Sequence, residues 1–195
     1  IDTEPTISTL STATTNVGTV AITLAGGTDN NYDFTLNNGT LTINKATLTV
    51  TADDQSREYG AANPSLTFTY SGFKNGEDKS VIDTEPTIST AAITTTDAGT
   101  AVITLAGGTD NNYDFTLNNG TLTINKAMLT VTADDQAREY GEANPSLTFA
   151  YAGFKNGEDK SVLDTEPTIS TTATTTTHVG TAAITLAGGT DNNYD

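Results

Sequence analysis

The sequence predicts an all-β protein: a tandem array of small sandwich-like modules, each of about six strands, set end to end. Three observations predict it. Long phrases recur at a fixed spacing, apolar residues alternate with polar ones inside each period, and glycine, asparagine and aspartate punctuate the runs. A β-grasp module is the alternative, should a short helix pack across one sheet.

The period is 81 residues, from Ile1-Asp2-Thr3-Glu4-Pro5 to Ile82-Asp83-Thr84-Glu85-Pro86 and on to Leu163-Asp164-Thr165-Glu166-Pro167. Most differences between the copies fall between Leu10 and Ala21, against Ala91 to Val102. A period this long fits a modular array better than a thin solenoid, whose units run to roughly 20–45 residues.

Strands come next. In "ATLTVTAD", Ala46, Leu48, Val50 and Ala52 face one way and the threonines the other. "SLTFTY" places Leu66, Phe68 and Tyr70 on one face, and "TAVITLA" does the same with Ala101, Ile103 and Leu105. Asn38-Gly39, and its copy Asn119-Gly120, lie between two such runs and predict a type I′ hairpin. That hairpin would set Leu36 opposite Leu41 and Phe34 opposite Ile43. Helix evidence is confined to "KNGEDKSVI", from Lys74 to Ile82, which has room for one turn or two.

Parity places the module boundary. Leu41 and Ile43 are odd-numbered core positions, whereas Ala46, Leu48 and Val50 are even, so the buried face flips at Lys45-Ala46 and again at Lys126-Ala127. No glycine, proline or serine linker intervenes, and the short extended junction predicts little bending. The expected organisation is the C-terminal part of a repeat over 1–45, a complete repeat over 46–126, and over 127–195 a repeat lacking its last two strands. The chain opens in mid-phrase and closes inside the phrase that begins at Leu186, which suggests a piece of a longer protein. Continuation of the chain would complete the last repeat, and so would strands given by another molecule.

Bulk properties exclude several functions. The net charge of −16, from 24 acidic and 8 basic side chains, is the wrong sign for nucleic acid and for anionic lipid. No apolar run is long enough for a membrane span. The absence of cysteine excludes disulfides and thiolate chemistry.

The phrases "TLTVTADDQSREYGAANPSLTFTYSGFKNGED", "DAGTAVITLAGG" and "NNYDFTLNNGTLTINKA" together resemble the MBG repeat domain of the Tyr-Gly type. The matching residues include Tyr59-Gly60 and its copy Tyr140-Gly141, Asn63-Pro64, Asn75-Gly76, Asn112-Tyr113, Asn119-Gly120 and Lys126-Ala127. The resemblance implies arrays in large bacterial surface proteins, adhesins and filamentous-haemagglutinin-like proteins among them, where such units act as stalk or spacer. It implies an extracellular or cell-surface location and no catalytic residues. The expected partners are neighbouring repeats of the same chain, further copies in a fibre, and a glycan or a host or cell-surface protein.

Candidate chemistry is sparse. Asp29, Asn31 and Asp33, and again Asp110, Asn112 and Asp114, have the 1, 3, 5 spacing of an oxygen-ligand calcium loop. The pattern departs from an EF-hand, because Phe34 stands at the glycine position and no glutamate follows at the twelfth. Asp53-Asp54 and Asp134-Asp135 add acidic pairs at the end of the first strand. Calcium is therefore the one candidate cofactor, and capping of turns by Asp and Asn is the competing reading. Adjacent carboxylates in a strand point to opposite faces, so neither pair suits a glycosidase, and the chain reads as no enzyme. Glu77-Asp78 beside Lys74 and Lys79 reads as a solvated turn. The lone histidine, His178, stands where the other copies have Asp97 and Asn16, and reads as a surface residue. Tyr59 reads as a packed ring with a bonded hydroxyl, or as a sugar-stacking platform.

These readings make the leading function a stiff extracellular spacer. A first strand of eight residues spans about 26 Å, so each repeat would advance the chain by roughly 30–45 Å. The rival is a binding module that presents Tyr59, Tyr70 and "KNGED" repeatedly to a glycan or a protein.

Overall fold

The computed structural model describes residues 1–195 and is all-β. The chain divides into two compact units, one made of Ile1–Asp53, Thr67–Ser89 and Thr104–Asn119, the other of Asp54–Leu66, Thr90–Ile103 and Gly120–Asp195. Neither unit coincides with one period of the sequence. Each gathers residues from both sides of a Lys-Ala junction.

The first unit holds two three-stranded sheets. In one, β1 (Thr6–Thr9), β2 (Gly18–Ala25) and β3 (Gly39–Ile43) are antiparallel neighbours, with Thr6 opposite Ala25 and Gly18 opposite Ile43. In the other, β4 (Ala46–Ala52) is central. The second unit opens with β5 (Gln55–Glu58), and the chain returns to the first with β6 (Phe68–Ser71). β6 pairs antiparallel with β4, Ala52 opposite Phe68. Strands β7 (Thr87–Thr90) and β8 (Gly99–Ala106) follow, and β9 (Tyr113–Asn118) pairs parallel with β4 from Ala46↔Tyr113 to Thr51↔Asn118.

The second unit is built on β10 (Gly120–Asn125), which lies between β5 and the first part of β8. It is parallel to β5, with Leu122 opposite Gln55, and antiparallel to β8, with Gly120 opposite Ile103. Two smaller sheets complete it: β11 (Thr130–Ala133) with β12 (Phe149–Ala152), and β13 (Thr168–Thr171) with β14 (Ile184–Ala187).

The predicted alternation sets which side chains are buried. Leu48, Val50 and Ala52 are buried in β4, and Ile103 and Leu105 in β8. Leu122 and Ile124 are buried in β10. Removing the valine, leucine and isoleucine side chains from water stabilises by about 1.5–3 kcal/mol each. The threonines of the opposite parity are mostly exposed.

The predicted hairpin is corrected by the register. β9 and β10 are consecutive in the chain but pair in different sheets, and neither is hydrogen-bonded to the other. Gly39 and Gly120 are not among the residues of positive φ, which a type I′ turn requires. The asparagine has another use. Asn119 Oδ1 accepts the backbone N–H of Leu105 at 3.0 Å, and Asn38 Oδ1 accepts that of Leu24 at 3.0 Å. The side chain binds the preceding long strand, and the chain passes from one sheet to another at this point.

The Lys-Asn-Gly-Glu-Asp stretch makes a turn through Asn75 and Gly76, both of positive φ, and then a single 3-10 turn, Lys79–Val81, repeated as Lys160–Val162. Asp78 caps it by accepting the N–H of Ser80 at 2.8 Å. The 3-10 turns bury no side chain, so no helix packs across a sheet as a β-grasp requires. No helix is long and apolar enough to cross a membrane.

Candidate functional site

The densest polar networks lie at the two Lys-Ala junctions, one within each unit. Each begins with the backbone. Ala46 N–H donates to Asn112 O at 2.9 Å, and Ala127 N–H donates to Asn193 O at 2.8 Å. The preceding lysine reaches the same loop: Lys45 Nζ donates to Asp110 O and Lys126 Nζ to Asp191 O, both at 2.7 Å. Asp114 and Asp195 lie 3.5 and 3.4 Å from these ammonium groups. The junction is therefore bonded to the module that follows it and is not a free linker.

The Asp-Asn-Asn-Tyr loop is folded by its first carboxylate. Asp110 Oδ1 accepts the N–H groups of Asn112 (2.7 Å) and Tyr113 (3.0 Å), and Asp191 does the same for Asn193 and Tyr194. This arrangement aims the asparagine back across the junction. Asn112 Oδ1 accepts Val17 N–H at 2.9 Å while its Nδ2 donates to Asn16 Oδ1 at 3.1 Å. At the second junction Asn193 Oδ1 accepts Ala98 N–H at 2.8 Å and its Nδ2 donates to Asp97 Oδ1 at 3.0 Å. A further amide crosses nearby, from Asn75 Nδ2 to Ala13 O and from Asn156 Nδ2 to Thr94 O.

A tyrosine–carboxylate contact lies beside each asparagine. Tyr113 accepts Lys74 N–H at 2.8 Å and donates to Glu77 Oε2 at 2.5 Å, and Tyr194 repeats this with Lys155 and Glu158. At the second junction Tyr59 of the preceding repeat donates to the other oxygen of Glu158 at 2.5 Å. Its ring meets Tyr194 edge-on at 5.6 Å, a favourable aromatic geometry. Burial, and then the bond to Glu158, push the Tyr194 hydroxyl up to about 12. Tyr59 is raised by its bond to Glu158 and then by burial, and Tyr113 by burial and then by Glu77. Lys155 Nζ lies 3.6 Å from Glu58.

The calcium candidates are placed as follows. Asp29 Oδ1 accepts Asn31 N–H at 2.7 Å, as Asp110 does one period later. Asn31 and Asp33 are exposed, and Asn112 is committed to the junction. Asp53 Oδ2 accepts the Thr67 hydroxyl at 2.6 Å and Asp54 Oδ1 the Thr121 N–H at 2.7 Å, while Asp134 repeats the first of these with Thr148 and Asp135 is exposed. No three carboxylate or imidazole groups converge anywhere in the chain.

One sequence reading is corrected here. Glu77 is not a solvated turn residue, because it accepts the hydroxyl of a buried tyrosine. His178 is exposed, as read, and so are its equivalents Asn16 and Asp97, which in addition accept from the junction asparagine. Sequence reasoning missed Glu77, Glu158 and the bridging role of Asn112 and Asn193. Their signal was available only as near-identical phrases in every copy, which does not say whether a residue faces its own module or the next.

Two grooves remain. One, of about 380 Å³, is lined by Gln136–Arg138 on one side and Thr181, Ala182 and Ile184 on the other. Their equivalents one period earlier flank β10. The other, of about 350 Å³, is lined by Leu129, Val131, Tyr151 and Pro167.

Repeated small sheets with hydrogen-bonded joints define a tandem β-module protein. The chain belongs to the family described as MBG domain (YGX type), whose model matches residues 1–42, 48–123 and 129–195. These are non-catalytic modules of a kind typical of bacterial surface proteins. No curated protein and no solved structure matches the chain.

Proposed function

We propose that these repeats are a spacer in a bacterial extracellular fibre or adhesin stalk, giving length and stiffness and carrying no ligand site of their own. The observation that carries this reading is the joint. Two junctions with the same bonds, Asn112 to Asn16 and Val17, and Asn193 to Asp97 and Ala98, tie successive copies without a linker. A chain whose modules are bonded to their neighbours resists bending at each junction, and tandem repetition turns that resistance into reach. Strong negative charge adds self-repulsion, which opposes collapse of one module onto another.

Several residues that the rival binding reading would present are engaged within the fold, which favours the spacer. Tyr59 is buried, Tyr70 packs among Phe68 and Phe73, and Asn75 and Glu77 of "KNGED" are engaged in bonds within the unit.

Small-angle scattering tests the spacer directly. A compact chain of this length has a radius of gyration of about 16 Å. A monomer with a value well above that supports the proposal, and a value near it overturns it.

A further inference from the structure

The Tyr-Gly motif occurs twice, and its two copies share one local framework. Arg57 Nε donates to Asn63 Oδ1 at 2.8 Å and Nη1 to Glu58 O at 3.1 Å; Arg138 does the same with Asn144 at 2.8 Å and Glu139 at 3.0 Å. Nη2 reaches Ile93 O in one copy and Thr174 O in the other. The asparagine donates to Ala92 O at 2.6 Å or Ala173 O at 2.7 Å. The arginine and asparagine thus hold the loop by bonds internal to the repeat.

The tyrosine and the glycine behave differently. Tyr59 is 3% exposed, against Tyr194 and Glu158 of the following repeat, whereas Tyr140 is 62% exposed. Gly60 and Gly141 share a left-handed conformation, φ +80° and +90°. A Cβ at 60 would lie 2.4 Å from Lys155 Cβ, while one at 141 would meet open space. The arginine and asparagine keep the same bonds in both copies, although Arg57 is buried and residues 55–58 pair with β10 whereas Arg138 is half-buried. At the first copy the glutamate, the tyrosine and the glycine meet the following repeat.

The geometry points to Tyr-Gly as a docking half-site for another repeat of the same kind, and Glu139-Tyr140-Gly141 as a second copy of it, exposed within residues 1–195. The occupant is a module presenting a Lys-Asn-Gly-Glu-Asp turn beside an Asp-Asn-Asn-Tyr loop. The glutamate before the tyrosine pairs with the lysine, as Glu58 does with Lys155 at 3.6 Å. The tyrosine hydroxyl donates to the incoming carboxylate, and the glycine leaves room for the lysine stem. The motif is then a device for joining modules, and this holds whether or not the array serves as a stalk.

The chain carries its own control. Tyr59→Ala and Gly60→Ala are compared with Tyr140→Ala and Gly141→Ala, each read by amide hydrogen exchange at Ala98, whose N–H bonds across the junction to Asn193. Exchange about tenfold faster at position 98 is expected from the first pair and no change from the second. Equal effects from both pairs, or none from the first, overturn the inference. Tyr59→Phe keeps the ring and removes only the hydroxyl, so it reads the carboxylate bond if the alanine variant unfolds. In a chain extended beyond Asp195 by a further copy of residues 115–195, exchange at Val179 slows about tenfold. Failure to slow overturns the assignment of Tyr140 as a docking residue.

Discussion

The hydroxyl of Tyr194 lies 2.5 Å from the carboxylate of Glu158 and also accepts the backbone N–H of Lys155. Burial and that carboxylate raise the hydroxyl to about 12, against about 10 for a tyrosine in an unfolded chain. A raised folded value means that the native state holds its proton more tightly than the unfolded chain. The contribution is complete below about pH 10 and is lost as pH rises toward about 12. Tyr59 and Tyr113 are shifted in the same direction and add to the loss. Circular dichroism across this range is expected to show unfolding stability falling steeply above about pH 10. Tyr194→Phe flattens the fall, while costing about 1–3 kcal/mol at neutral pH because Lys155 N–H loses its acceptor.

The two junction asparagines face different partners, and that difference predicts different tolerance. Asn193 donates to the carboxylate of Asp97, whereas Asn112 donates to the amide of Asn16. Asn193→Asp sets two carboxylates at hydrogen-bond distance and removes the donor. Asn112→Asp removes the same donor but leaves an amide that turns its own N–H₂ toward the new carboxylate. Urea denaturation is expected to show roughly 1–2 kcal/mol lost for Asn193→Asp and less for Asn112→Asp. Asp97→Asn should recover most of the first loss, an interaction that a double-mutant cycle measures.

How much of this was legible follows from what a period of two encodes. The alternation in "ATLTVTAD" and "TAVITLA" says which side chains are buried, and Leu48, Val50, Ile103 and Leu105 are. It does not say which strand lies beside which. Phe115 and Leu117 keep their parity in β9 beside β4 as well as they would opposite β10 in a hairpin, so the same pattern fits both pairings. Asn119-Gly120 was misread because its asparagine is committed to Leu105, a partner fourteen residues away. Parity flips at Lys45-Ala46, but nothing in that pattern shows the chemistry around it. Asn112 reaches Val17 across ninety-five residues, and no local pattern marks such a bond.

Gly107-Gly108 separates strain from space. Both residues have positive φ, +69° and +87°. A Cβ at 107 would meet nothing, but one at 108 would lie 2.8 Å from Pro86 Cγ and 3.2 Å from Phe115 Cδ2. Gly107→Ala should therefore cost about 1 kcal/mol, from the left-handed backbone alone. Gly108→Ala should cost roughly 2–3 kcal/mol, since the proline ring and the phenylalanine must also shift. Thermal unfolding of the two variants side by side checks the difference, and equal midpoints would mean that the proline moves freely.

Asp110 decides between a metal ligand and a turn cap. Its Oδ1 already accepts two backbone N–H groups, from Asn112 at 2.7 Å and Tyr113 at 3.0 Å. An asparagine at 110 keeps a carbonyl oxygen in that place, whereas an alanine leaves both N–H groups without an acceptor. Asp110→Asn is therefore expected to cost less than about 1 kcal/mol and Asp110→Ala about 1–3 kcal/mol. Added calcium should leave the melting temperature of all three proteins unmoved, because the carboxylate is occupied and no second and third acid stand beside it. A melting temperature that rises with calcium in the parent chain, and no longer rises in Asp110→Asn, would instead make the loop a cation site that clamps Asn112 against the preceding repeat.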